Sequence, residues 1–179
     1  MNINIINKLK SDIRDVKLSM LLDNDIIIKP NIKKLRKGKN LIFDQSYWKV
    51  LNKYKGNSII TGSTALYAMD LLDRMPKDID LIVDKEYLIG EDLCHNRYVG
   101  MEGEMDMVGF YIDKKSNMNI DFFHNNHCET IECEGFLFHN PFQIMETKIE
   151  ISKNRSGSKD ISDIIDILRK INPSYKFIL

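Results

Sequence analysis

The sequence is poor in cysteine, has no long apolar run and carries no net charge. Its three cysteines, Cys94, Cys128 and Cys133, are an odd number in a chain whose start, MNINIINKLKSDIRD, is too polar for the apolar region of a signal peptide. They read as reduced structural thiols, not as a disulfide framework, and a cytoplasmic location is the expectation. No stretch of about eighteen apolar residues occurs, which argues against a membrane helix and a membrane partner. Twenty-six basic and twenty-six acidic residues cancel, so any contact with nucleic acid has to be local. Alanine occurs only as Ala65 and Ala68, while Ile, Asn and Lys abound. That bias fits an AT-rich coding genome and carries no chemistry. What remains is an ordinary globular balance, 43% hydrophobic and 29% charged over 179 residues, enough for one core and a small appended segment. There is no internal repeat and no low-complexity tract.

Residues 1–56 read as an extension packed on the core formed by 57–179. The extension has a polar start, an apolar patch at Ile26, Ile27 and Ile28, a basic stretch from Lys29 to Lys39, and a helix capped by Asp44. Tyr47, Trp48, Leu51 and Tyr54 recur there at helical steps and form a packing stripe. From Ser58 the pattern becomes strand (58–61), a tight Gly62-Ser63 turn, a helix over about 64–73, a break at Pro76 and a strand through Ile79 to Val83. Residues 84–107 carry no legible pattern. Residues 110–112 and 119–123 read as one hairpin, and 130–133 and 136–138 as a second, joined at Glu134-Gly135. Asn140-Pro141 opens a helix to about Lys153, and Ser158 caps a last helix with a stripe of Ile161, Ile164, Ile165 and Leu168.

The chemistry concentrates in the acids. Asp78 and Asp80 flank Ile79 on a strand, so both carboxylates share one face while Ile79 points to the other. Asp121 stands between Ile120 and Phe122 on a later strand, and a strand beside the Asp80 strand would align all three acids. Alone, an acid-x-acid triplet is commonplace at surface turns. Here it follows a Gly62-Ser63 turn that opens a helix, where backbone N–H groups and the Ser63 hydroxyl can meet a phosphate. The plainer reading of Ser63 is a helix cap. Clustered carboxylates repel one another, and a hard divalent cation such as magnesium offsets that repulsion.

The run Gly62-Ser63-Thr64-Ala65-Leu66, followed by Arg74-Met75-Pro76-Lys77-Asp78-Ile79-Asp80-Leu81, resembles the nucleotidyltransferase superfamily of DNA polymerase β, and within it the AbiEii-like toxin group. Lys148, Arg155, Lys159, Asp160 and Asp163 are similar to that group's carboxy-terminal pattern. The resemblance spans about residues 58–170 and leaves the amino-terminal layer uncovered. It implies an α+β fold with a mixed sheet and helices packed on it, and transfer of a nucleoside monophosphate from an NTP to a hydroxyl on RNA, tRNA, protein or a small molecule. It further implies two Mg2+ ions held by Asp78, Asp80 and Asp121, phosphate contacts from Gly62, Ser63, Lys148, Arg155 and Lys159, and an antitoxin as a partner. The alternative is a catalytically silent binding or assembly module on the same fold.

Several residues have competing readings. Lys148, Arg155 and Lys159 could equally be solvated, with Lys159 and Asp163 as an i,i+4 pair. His124, His127, Cys128, Cys133 and His139 could in principle assemble a zinc site, but no Cys-x-x-Cys pair occurs and packing roles are favoured. The basic stretch Lys29–Lys39, helped by Tyr47 or Trp48, could follow a nucleic-acid backbone; read from sequence, it is solvated surface.

Overall fold

The computed structural model describes residues 3–22, 27–36, 48–83, 106–113, 118–124, 127–154 and 159–178. Its helices are α1 (Ile3–Leu22), α2 (Ile32–Arg36), α3 (48–53), α4 (Gly62–Ala68), α5 (Pro141–Asn154) and α6 (Lys159–Ile171). Its strands are β1 (Ser58–Thr61), β2 (Asp78–Val83), β3 (Asp106–Asp113), β4 (Met118–His124), β5 (Thr130–Cys133) and β6 (Phe136–His139). The fold is α+β, and among the described residues no helix is long and apolar enough to cross a membrane. The chain divides into two compact units, Lys29–Asn140 and a second made of Met1–Ile28 with Pro141–Leu179.

The first unit is built on a mixed sheet in the order β3-β4-β2-β1-β6-β5 among the described residues. β2 runs parallel to β4 and β1 parallel to β6, while the β1–β2, β3–β4 and β5–β6 pairs are antiparallel. Both expected hairpins are present. The second turns through Glu134 and Gly135 at φ 52° and 77°, a pair of positive angles that matches the twist of the flanking strands. One face of the sheet is wholly apolar along its middle strands: Ile60, Ile79, Leu81, Ile120, Phe122 and Phe138 are each at most 2% exposed. Tyr54, just after α3, packs its ring against Phe122 with centroids 5.3 Å apart.

The helix after β1 is shorter than its apolar pattern suggests. It begins at Gly62 with no separate turn and ends at Ala68, not near Asp73. Asp70 takes a left-handed backbone (φ 60°), and the N–H groups of Leu71 and Leu72 both donate to the Leu66 carbonyl. That wrap keeps Met69 and Leu72 buried without continuing the helix.

The second unit is helical. α1 was not foreseen, because its polar residues masked the spacing of Ile6, Leu9, Ile13 and Val16, all buried. α1, α5 and α6 pack on one another through these residues and Ile144, Met145, Ile149, Ile164, Ile167 and Leu168. Asp12 is buried with them and is satisfied by Lys8 Nζ and by the Tyr175 hydroxyl, each at 2.7 Å.

Candidate active site

The strand register decides where the acids lie. Asp80 on β2 is paired with Asp121 on β4, and Asp78 with Asn119, so the three carboxylates share one face of two adjacent parallel strands. All three are partly exposed, whereas Ile79, Leu81, Ile120 and Phe122 between and beyond them are buried on the opposite face. One step further along the same face the lining turns apolar: Ile82 and Phe123 pair in register and pack with Ile59 and Cys128. Along β2 and β4 the polar ground of this face is therefore at one end.

Across that end runs a row of polar residues. Thr61, the last residue of β1, is the partner of Asp80, so Asp121, Asp80 and Thr61 lie side by side. The row continues to His139 at the end of β6, whose Nδ1 is 2.8 Å from the Thr61 hydroxyl; both residues are 1% exposed. Asn119 donates its amide to Asp121 Oδ1 at 3.0 Å, which orients that carboxylate.

Gly62 follows Thr61 and meets Asp80 directly. Its φ is +58°, and a Cβ built there would lie 2.0 Å from Asp80 Oδ2. Only glycine satisfies both the left-handed backbone and the close approach of the carboxylate. Thr64, fully buried on α4, donates its hydroxyl to the Asp78 carbonyl at 3.2 Å and so ties the helix to the start of β2. Ser63 is partly exposed in the first turn of α4. The residue at the helix cap is Thr61, which makes no side-chain cap hydrogen bond, so the cap reading of Ser63 does not hold.

The cations named from sequence lie in the helical unit. Lys148 on α5 donates to Asp160 at 2.7 Å and to Asp163 at 3.2 Å, both on α6, with only 12% of its side chain exposed. Lys148, 11 residues before the Lys159 first considered, is thus an ion-pair partner of Asp163. Lys159 is exposed at the start of α6, and Arg155 lies outside the described residues. Cys94 also lies outside them. Cys133 Sγ donates to the Pro30 carbonyl at 3.3 Å, His139 serves Thr61, and Cys128 packs with Ile82 and Phe123.

Asp78, Asp80 and Asp121 offer the hard oxygen donors that magnesium takes. Their fit to a divalent ion lies in this donor chemistry and in the shared face; among the described residues no three His, Cys, Asp or Glu side chains close into one ligand group. Thr61, Thr64, Asn119 and His139 were not picked out as members of this site from sequence. The legible signal was the position of Thr61 and Thr64 on either side of the Gly62-Ser63 pair.

Fold and site together define a mixed α+β sheet protein with an acidic row at one end of its central strands. Compared with protein-family models, curated proteins and solved structures, the chain gives no match.

Proposed function

We propose that the chain is a metal-dependent nucleotidyltransferase that moves a nucleoside monophosphate from an NTP to a hydroxyl acceptor and releases pyrophosphate. The observation that carries this reading is the in-register pairing of Asp80 with Asp121, on the same face as Asp78 and directly against Gly62. Asp78, Asp80 and Asp121 would hold magnesium, which supplies charge neutralisation for the triphosphate and a lowered pKa for the attacking hydroxyl. The acceptor oxygen would form a bond to the α-phosphorus as the bond from that phosphorus to the pyrophosphate oxygen breaks, and Asp121 would take the hydroxyl proton.

Gly62 presents its backbone without a side chain, and Ser63 adds a hydroxyl; these are the groups assigned to the β- and γ-phosphates. Lys159 and Arg155 are the further cations assigned to phosphate. Lys148, the third, is paired with Asp160 and Asp163 and would enter phosphate binding by giving up one of them. The test is incubation of the purified protein with each α-labelled NTP, magnesium and total RNA or protein, beside an Asp78→Ala, Asp80→Ala variant. Label transferred by the wild type and lost in the variant supports the reading. Magnesium–nucleotide binding with no transfer would select the silent binding module instead.

A further inference from the structure

A chain with no net charge holds two segments whose own charges are all of one sign. The described residues 27–36 and 48–57 contain Lys29, Lys33, Lys34, Arg36, Lys49, Lys53 and Lys55, and not one acid. Packing sets their direction. Ile32 and Leu35 bury the inner side of α2, and Leu51 with Tyr54 buries that of α3, so the basic residues face outward. Acids from elsewhere reach two of the cations: Asp70 pairs with Lys34 at 2.6 Å and Glu134 with Arg36 at 3.0 Å. Lys29, Lys33, Lys49 and Lys55 are exposed and have no carboxylate partner among the described residues.

Aromatic rings knit this surface together. The Arg36 guanidinium lies over the Trp48 ring at 4.6 Å, Trp48 meets Phe136 with centroids 5.4 Å apart, and Lys55 Nζ lies 4.8 Å over Phe136. α2, α3 and the β5–β6 hairpin are thereby held as one cationic face with a partly exposed indole in it. Asn52, exposed one turn from Trp48, donates its amide to the Trp48 carbonyl at 3.0 Å, and its amide oxygen is a further acceptor on this face.

We propose that this face docks single-stranded RNA. The lysines match a phosphodiester backbone, the Trp48 ring offers a platform to an unpaired base, and the Asn52 oxygen can accept from a ribose 2′-hydroxyl that deoxyribose lacks. A membrane is disfavoured because the apolar residues of α2 are buried, 2% exposed at Ile32 and 4% at Leu35, and cannot insert. The lysines, Trp48 and Asn52 all precede the stretch that resembles nucleotidyltransferases. The RNA face therefore stands or falls apart from the carboxylate row.

Trp48 is the only tryptophan, so its fluorescence reports on this face alone. Titration with an unstructured RNA of about twelve nucleotides, roughly the span of a single-strand site, should quench it. The affinity should fall with salt on a logarithmic slope of about −3, the value for four neutralised phosphates. The Lys33→Ala, Lys49→Ala, Lys55→Ala variant, with unchanged circular dichroism, should bind at least about tenfold more weakly and with a flatter slope. Lys10→Ala, in the helical unit, should bind like the wild type, and Asn52→Ala should narrow the preference for RNA over DNA. Wild-type binding by the triple variant would overturn the proposal. So would equal affinity for DNA of the same sequence, for heparin or for anionic phospholipid vesicles. Because the readout is binding, a negative result here leaves the transfer reading intact, and an absence of transfer leaves this one intact.

Discussion

Two groups of carboxylates, one in each unit, show opposite solutions to the same electrostatic problem. In the helical unit Asp160 and Asp163 stand close together and the chain supplies its own cation, Lys148, to both. In the sheet unit Asp80 and Asp121 are set side by side by strand register, with Asp78 one step away; the Asn119 amide orients Asp121, and Gly62 lies against Asp80. The first group is 9% and 20% exposed and is a structural tie. The second is partly open to solvent and sets two carboxylates in register on adjacent strands.

The largest expected effect breaks this contrast at the acidic row. On the transfer reading proposed above, Asp80→Asn should lower nucleotide transfer by at least about a hundredfold. In metal-free buffer it should leave stability unchanged or raise it by up to about 1 kcal/mol, because a repulsion is removed. A urea midpoint that drops instead would show that Asp80 is a structural tie like Asp163. Next in size, Lys148→Met should cost about 2–3 kcal/mol by stranding two shielded carboxylates, and a Lys148→Met, Asp163→Leu double variant should recover part of it. Denaturant unfolding measures both. An unaffected midpoint in the single variant would remove the structural side of the comparison.

Gly62→Ala should cost about 2 kcal/mol from its left-handed backbone and from a Cβ driven into Asp80, with transfer falling alongside stability. Smaller still is a pH effect confined to the helical unit. Burial, then the hydrogen bond to Asp12, raises the Tyr175 pKa above its ordinary value near 10. The folded state thus holds the phenol proton more tightly than the unfolded one, so this contribution is complete below about pH 10 and is lost as pH rises beyond it. Midpoints measured from pH 8.5 to 11 should fall more steeply for the wild type than for Tyr175→Phe. Smallest of all, Lys10→Ala should cost no more than about 0.5 kcal/mol, because its pair with Glu150 is 41% and 38% exposed.

The strands were legible because alternation is a short-range signal: β1, β2, β4, β5 and β6 begin and end within a residue or two of where their apolar spacing puts them. α5 announced itself through Asn140-Pro141 in the same way. α1 was legible in principle, yet its buried residues are diluted by charges every second or third position. The end of α4 was not, since nothing in Met69-Asp70-Leu71-Leu72 reveals that Asp70 adopts a left-handed backbone. In the site, Asp78 and Asp80 could be placed on one face from period two alone. Thr61 and His139 could not be joined to them, because each arrives through the register between strands, His139 from 78 residues beyond Thr61.

By itself, then, the sequence determined most of the strands and the shared face of Asp78 and Asp80, which follow from local periodicity, while the α+β class came with the resemblance. Only the tertiary structure decided that β4 lies beside β2 in the register that pairs Asp121 with Asp80, that Gly62 sits under the Asp80 carboxylate, and that Lys148 is tied to α6. These depend on contacts between residues far apart along the chain, where side-chain volume and charge, not spacing, choose the partner.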